Sequence, residues 1–282
     1  MASSTVWSKV DKVLQEVLPQ DKTAAECFTG PTETSNWIIP GVILAGAYPG
    51  STIGQQQHRK KIETLIQEGI TTFVCLQQRY ELEHRFVPYM PIAAEVAKRE
   101  GRDELWKHTP YELIPDDEYN AARMYGKSLP GITPKYRHFS TADGGGPFSL
   151  TEHGVTQLSF PITDTQIAED DALLKFIKHL ATRVVTARKL RTEGETHEVF
   201  YVHCWGGHGR TGTIVSLLLI ALFRLDSMAA LRYVNYAQSF RKWTKGNVQQ
   251  CQQDQIERLC SKACALSLRD YTSHTSRNTD TD

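Results

Sequence analysis

The sequence predicts an α/β protein with a central, mostly parallel sheet flanked by helices on both faces and with an inserted subdomain. Helical and strand-like patterns alternate along the chain of 282 residues. A helix between two strands favours parallel pairing, because the connection must return to the same end of the sheet. The most apolar segment, Ile214–Phe223, follows a strand-like run and therefore predicts a buried helix against that sheet. This length suits one large domain with additional segments.

Each predicted strand is a short run of β-branched and aromatic residues, and each predicted helix has apolar residues three or four positions apart. In chain order, the pattern predicts a helix over 6–18, two strands within 37–47, a helix over 56–68, a strand over 71–76, a helix over 92–99, a strand over 155–160, a helix from 169, a strand over 198–202 and helices over 214–223, 233–241 and from about 250. The alternation of helix and strand begins only after the first 35 residues.

The chain divides into an N-terminal helical extension (1–35), a main domain (36–268) and a polar tail (269–282) without apolar periodicity, for which we expect disorder. The main domain carries an insertion over about 85–150 that is rich in Pro, Tyr and Gly. An unstructured loop of that length is unusual in a compact domain. The insertion is either a subdomain that borders the functional cleft or a surface excursion without a role.

The composition excludes several classes of function. Lys plus Arg and Asp plus Glu are both 32, so a general nucleic-acid or acidic-membrane binder is not expected. No apolar stretch approaches the roughly 20 residues that span a bilayer, and the first residues do not resemble a signal peptide. The six cysteines lack metal-site spacing, so we expect neither metal nor cofactor. This inventory suits the reducing cytoplasm.

The segment Val202–Gly212 carries the strongest functional pattern. It places Cys204 six residues before Arg210, with three glycines between them, and lies between a predicted strand and a predicted helix. A thiolate can attack phosphorus, loop N–H groups can bind phosphate oxygens, and a guanidinium can grip two of them. The helix N-terminus adds a positive dipole end that should favour the thiolate form of Cys204.

This pattern resembles the signature of the cysteine-dependent protein tyrosine phosphatase superfamily, and most of all its dual-specificity branch near the cyclin-dependent-kinase-inhibitor phosphatases. The resemblance implies that Cys204 is the nucleophile, that Arg210 binds the phosphate, and that Thr211 assists the departure of sulfur. It also implies that loop amides bind the phosphate and that His203 supports the loop. The substrate-binding residues are then Trp205, Gly206, Gly207, His208, Gly209 and Arg210.

The segment Phe160–Asp164 resembles the loop that carries the general acid in these phosphatases, which implies that Asp164 is that acid. A phenolate leaves more readily when it is protonated as its bond breaks, and a general acid is typically worth about 10²–10⁴ in rate. The alternative is that Asp164 only caps the following helix. Asp170 and Asp171 are rival acids, although acidic residues in a first helical turn also suit the helix dipole.

The glutamine-rich segment that begins at Asn247 has a spacing similar to a glutamine pair that positions water in tyrosine phosphatases. Gln249 and Gln253 would be the matched pair, although glutamine-rich helix starts are common. Arg232 and Arg241 are candidates for contact with an acidic substrate flank, or belong to a solvated helix face. A protonated His208 would add positive charge to the loop near pH 6–7, and the alternative is that His208 only packs or is solvent-exposed.

These residues predict hydrolysis of a phosphate monoester through a phosphocysteine intermediate. The expected substrate is a phosphorylated protein or peptide that carries phosphotyrosine, with phosphoserine and phosphothreonine as further candidates. Two alternatives stay open. The first is an inositol phosphate or phosphoinositide phosphatase, although the loop lacks the lysines often found in such relatives. The second is a phosphate-binding module without catalytic activity.

Overall fold

The computed structural model describes residues 2–50, 55–78, 88–102, 148–152, 154–243 and 246–268. Its strands are β1 (Ser35–Ile39), β2 (Ile43–Gly46), β3 (Thr72–Cys75), β4 (Phe148–Glu152), β5 (Val155–Ser159) and β6 (Phe200–His203). Its helices are α1 (Ala2–Val17), α2 (Ala24–Phe28), α3 (Gln55–Gln67), α4 (Met90–Arg99), α5 (Asp170–Thr192), α6 (Gly209–Phe223), α7 (Ser227–Gln238) and α8 (Gln250–Cys264). The described elements follow the predicted alternation closely.

The six strands form one sheet in the order β1-β2-β6-β3-β5-β4. The three inner pairings, β2 with β6, β6 with β3 and β3 with β5, are parallel. The outer strands β1 and β4 each pair antiparallel with their neighbour. This topology confirms the predicted α/β class with a mostly parallel sheet.

Alternate side chains of the central strand β6 show that helices cover both faces of the sheet. Phe200 packs under the guanidinium of Arg183 from α5. The next residue, Tyr201, points to the other face, where its ring contacts Phe73. Phe73 in turn packs against Tyr89, directly before α4. The core of the domain therefore lies on both sides of the sheet.

The parallel strands place two loops at the same edge of the sheet. The segment after β5 and the loop after β6 both leave from carboxyl ends, which is where α/β proteins build their sites. Only β3 separates β5 from β6, so the two loops begin about 10 Å apart at the usual strand spacing. A long side chain can bridge such a gap.

Several boundaries differ from the predicted ones: α6 begins at Gly209, α7 spans Ser227–Gln238, and α2 and β4 were not predicted. The helix after residue 169 continues to Thr192, and β6 starts at Phe200 instead of Glu198. Glu198 is buried before the strand, where its carboxylate accepts hydrogen bonds from Arg183 and Thr72. Of the predicted insertion, α4 and part of β4 are described, whereas 103–147 lie outside the described residues, as does the predicted tail 269–282.

A helix that spans a membrane has to be both long and largely apolar. No single helix among the described residues meets both requirements. Taken together, α6 and α7 do so by length and composition, but they are bent by 120° relative to each other. Nearly all of α6 is buried in the interior of the domain, where it packs against the neighbouring helices.

Candidate active site

The loop between β6 and α6, which we call the signature loop (204–210), folds back over the sulfur of Cys204. The side chain of Cys204 is buried, and the backbone N–H of Gly207 donates a hydrogen bond to Sγ over 3.2 Å. Gly207 has φ +75°, in the left-handed region that favours glycine. A Cβ atom at this position would lie 2.3 Å from the carbonyl carbon of Gly46. The loop therefore requires glycine at position 207.

Buried groups outside the loop fix its carbonyls. The N–H of Tyr48 donates to the carbonyl of Trp205 over 2.9 Å. Arg241 donates from Nη1 to the carbonyl of Gly207 over 3.0 Å and from Nε to Oδ1 of Asn36. With its carbonyls turned outward to these donors, the loop can leave its N–H groups to an anion.

Arg241 thus supports the loop from below, which corrects its prediction as a contact for the substrate flank. Its side chain is only 7% exposed. Burial lowers the pKa of Arg241 to about 10, and the neighbouring Tyr201 and Cys204 act in the opposite direction. The guanidinium still carries its charge at neutral pH, close to the thiol that would ionise. No sequence pattern indicated this role, because an arginine after a helix is usually solvated.

Arg210 joins the signature loop to the predicted acid. Its side chain is fully buried at the start of α6. Nη1 donates to the carbonyl of Ile162 over 3.0 Å, and Nη2 lies 2.9 Å from Oδ1 of Asp164. The two loops that leave the sheet on either side of β3 therefore meet at one guanidinium.

Asp164 lies in a segment that we call the acid loop (162–168), which is largely exposed. The side chain of Asp164 is 52% exposed, and its Oδ1 also accepts a hydrogen bond from the N–H of Thr165 over 3.1 Å. Thr165 has φ +62°, which few residues other than glycine adopt.

The rival acids Asp170 and Asp171 do not reach the position of Asp164. Asp170 pairs with Arg258, which holds the pKa of the Asp170 carboxyl below its usual range, and Asp171 lies in the first turn of α5.

The N-terminal part of α8 holds the acid loop through three side chains. The thiol of Cys251 donates to the carbonyl of Thr165 over 3.4 Å. Gln252 and Gln255 donate from Nε2 to the carbonyls of Gln166 over 3.0 Å and Ala168 over 2.6 Å. The helix therefore determines the position of the acid loop.

Gln252 is the glutamine that reaches both loops. It is 1% exposed, and a Cβ atom at Gly209 would lie 2.7 Å from its Oε1. The predicted pair lies elsewhere: Gln249 is the exposed N-cap of α8, and Gln253 donates to the carbonyl of Val248 over 2.7 Å. Gln252 was not predicted, because the glutamine spacing of the family matches Gln249 and Gln253 instead. Gln252 lies three residues after the N-cap, and this capping-box position is the sequence signal that could have indicated it.

His203 lies beneath the loop on the opposite face from α6. It is fully buried, and its Nε2 makes a hydrogen bond with the hydroxyl of Tyr89 over 2.9 Å. Burial, with a smaller effect of the Arg210 charge, lowers the pKa of His203 to about 3. A neutral imidazole held by Tyr89 fits the predicted supporting role. The sequence did not point to Tyr89, because it lies more than a hundred residues away in the chain.

The two other predicted polar residues of the region have different surroundings. His208 is half-buried, and burial and the charge of Arg241 lower the pKa of its imidazole, so it adds little positive charge at pH 7. This corrects the expectation of a cationic His208. The hydroxyl of Thr211 is buried and has no hydrogen-bond partner among the described residues. Its donor is therefore available to a group in the loop.

This fold and this site have the features expected of a phosphatase domain of the dual-specificity type. Residues 146–270 match the family described as "PTP-SAK: Swiss Army Knife protein, DSP-PTPase phosphatase domain". The matched segment contains the acid loop, the signature loop and α8, and the match supports a similarity to the dual-specificity branch of the protein tyrosine phosphatase superfamily. No curated protein matches the chain.

Solved structures of similar proteins include that of PTPMT1 in complex with PI(5)P. PTPMT1 is 14% identical to this chain, and the alignment covers 80% of this chain and 94% of PTPMT1 at a TM-score of 0.43. Kinase associated phosphatase is also 14% identical, with 79% and 88% covered and a TM-score of 0.46. The human tyrosine phosphatase-like serine/threonine/tyrosine-interacting protein is 14% identical, with 83% and 100% covered and a TM-score of 0.44. Likenesses this distant establish neither an activity nor a substrate.

Proposed function

We propose that this protein hydrolyses phosphotyrosine, and also phosphoserine and phosphothreonine, in phosphorylated proteins through a phosphocysteine intermediate. In the first step the Cys204 thiolate attacks phosphorus, and the bond between phosphorus and the ester oxygen breaks. Asp164 gives its proton to that oxygen, so the substrate leaves as a neutral alcohol. The phosphoryl group is then bound covalently to sulfur.

In the second step water attacks the phosphocysteine. Asp164, now a carboxylate, accepts a proton from the water, and the bond between phosphorus and sulfur breaks to release inorganic phosphate. The hydroxyl of Thr211 donates a hydrogen bond to the departing sulfur. Throughout, loop N–H groups and the Arg210 guanidinium bind the equatorial oxygens, where preorganised donors lower the barrier most.

The observation that carries this proposal is the double contact of Arg210 with the acid loop. It holds the carbonyl of Ile162 and the carboxylate of Asp164 while its own backbone belongs to the signature loop. A phosphate-binding module without activity needs the cup of amides but has no need of a carboxylate beside it. The arrangement therefore favours an enzyme, and a reducing compartment such as the cytoplasm would keep its thiol active.

The direct test is turnover of p-nitrophenyl phosphate and of a phosphotyrosine peptide by the purified chain, with Cys204→Ser as the matched variant. We expect the serine variant to lose about 10⁴-fold or more in kcat, because it removes the nucleophile. It should still bind phosphate, since the amides and Arg210 remain. Rapid acid quenching of the wild-type reaction should trap a phosphoryl group on Cys204, detectable by mass spectrometry.

Two outcomes would overturn the proposal. Phosphopeptide binding without turnover by the wild-type chain would identify a binding module. Preferred turnover of an inositol phosphate or a phosphoinositide over every phosphopeptide would keep the chemistry and replace the substrate.

A further inference from the structure

Among the residues whose side chains the structure describes, large apolar side chains are exposed at four positions. Three of them lie in segments that border Cys204: Trp205 is 43% exposed, Trp243 67% and Ile167 41%. We call these three residues the apolar rim. Tryptophan is strongly buried on average, so two exposed tryptophans around one cleft indicate a surface that contacts something.

Each member of the rim belongs to one of the two loops or to the segment that contacts the signature loop through Arg241. Trp205 directly follows the nucleophile. Ile167 lies between the two acid-loop carbonyls that Gln252 and Gln255 hold. Trp243 follows Arg241 by two residues.

Two contacts fix the position of Trp243. Arg241 holds the carbonyl of Gly207, and the N–H of Trp243 donates to the carbonyl of Glu33 over 3.0 Å. The rim residues therefore lie in the signature loop, in the acid loop and in the segment after α7, which contacts the signature loop through Arg241.

Among the described residues, the charges around the rim do not suit a polyanion. Within the signature loop Arg210 and His208 are the titratable bases, and Arg210 is buried while the pKa of His208 is lowered. Arg241 is buried beneath the loop. Among the described residues next to Trp243, exposed Lys242 is balanced by exposed Glu33. Additional phosphates of an inositol ring, or an anionic bilayer, would gain little attraction from such a surface.

We propose that the apolar rim binds apolar side chains next to the phosphorylated residue of a protein substrate, and so determines which phosphoproteins are hydrolysed. This inference rests on the proposed function. Aromatic residues present a large contact area at low entropic cost, and tryptophan is enriched among the residues that dominate interfaces. The phosphate would enter the cup while the neighbouring side chains cover the rim.

The test compares two phosphotyrosine peptides, one flanked by leucine and phenylalanine and one flanked by serine and aspartate, with p-nitrophenyl phosphate as a substrate that has no flanks. The wild type should turn over the apolar peptide with a kcat/KM about 10-fold above that of the polar peptide. Trp243→Ala should remove most of this preference, and Trp243→Phe should restore part of it. Met228→Ala is the control, because Met228 is 54% exposed but lines a separate cavity beside α7.

The outcomes separate this inference from the proposed function. If the wild type hydrolyses none of the three substrates, the proposed function fails. If it hydrolyses all three but the two peptides are equivalent, or if Met228→Ala and Trp243→Ala act alike, the rim does not select substrates. If Trp243→Ala instead abolishes binding to vesicles of phosphatidylcholine and phosphatidylserine and leaves the peptide preference unchanged, the rim is a membrane contact and the inference is overturned.

Discussion

The signature loop and the acid loop are held in opposite ways. The signature loop is fixed from inside the protein, by Gly207, which packs against Gly46 with a positive φ, and by buried donors to its carbonyls. The acid loop is exposed, and side chains of α8 hold its carbonyls from one side. Arg210 is the contact between the two.

The difference corresponds to what each loop has to do in the proposed reaction. A cup for phosphate oxygens works only if its donors are already in place, since reorganisation would consume the energy that lowers the barrier. A proton donor has to reach a leaving group whose size varies between substrates, so an exposed position with replaceable contacts serves it well. We therefore expect substitutions in the signature loop to disrupt binding and chemistry together, and substitutions around the acid loop to affect mainly proton transfer.

The largest effect should come from Gly207→Ala. The added Cβ would collide with the backbone of Gly46, and alanine disfavours φ +75°. We expect kcat/KM for p-nitrophenyl phosphate to fall about 10³-fold, because the loop N–H groups would no longer be aligned with the phosphate oxygens. The matched control is Gly206→Ala. The new Cβ would lie 3.4 Å from its nearest neighbour, the Cδ2 atom of the His208 side chain, which can move. Equal losses in the two variants would contradict a requirement specific to position 207.

The next effect should come from Asp164→Asn, which keeps the shape of the side chain and removes the proton. For aryl phosphates with poor leaving groups we expect kcat to fall about 10²-fold or more. For good leaving groups the loss should be much smaller, since a stable phenolate departs without protonation. The measurement is a leaving-group series at constant pH, and a uniform loss along it would indicate a different general acid.

A smaller effect should follow from Gln252→Leu. This variant keeps the volume beside Gly209 and loses the hydrogen bond to the acid loop. We expect kcat for poor leaving groups to fall about 10-fold while phosphate inhibition changes little, because a displaced acid costs rate and not binding. Gln253→Leu is the control, as its amide bonds the carbonyl of Val248. If the control shows the larger loss, the position suggested by the family spacing is the functional one after all.

The smallest effect on activity, with a clear effect on stability, should come from His203→Gln. Burial lowers the pKa of His203 from 6.5 to about 3, so between these values the unfolded chain binds a proton that the folded chain does not. The stabilisation is complete above about pH 6.5 and is lost as the pH falls toward 3. Urea unfolding from pH 7 to pH 5 should give a shallower pH dependence in the variant, by up to about 1.4 kcal/mol per pH unit. Identical slopes would show that His203 is not the group that titrates.

Local patterns determined what could be predicted from the sequence. The glycines and the strand–loop–helix context predicted Cys204 and Arg210, and the resemblance of Phe160–Asp164 to the acid loop of these phosphatases predicted Asp164, because these signals lie within a few neighbouring residues. Arg241, Gln252 and Tyr89 could not be predicted in their roles, since each acts through a contact with a distant segment. For the same reason the sequence left the charge of His208 open, because that charge depends on burial and on Arg241.

The ion pair between Arg210 and Asp164 has a consequence for the release of product. In the proposed reaction, the Asp164 carboxylate and inorganic phosphate would compete for the Arg210 guanidinium, because this guanidinium can bind either anion. Once Asp164 has lost the proton that it accepts from water, its carboxylate would replace the departed phosphate at Arg210, and a phosphate that rebinds would have to displace it. The enzyme would resist inhibition by the phosphate that cells contain, at the expense of some affinity for every substrate that enters.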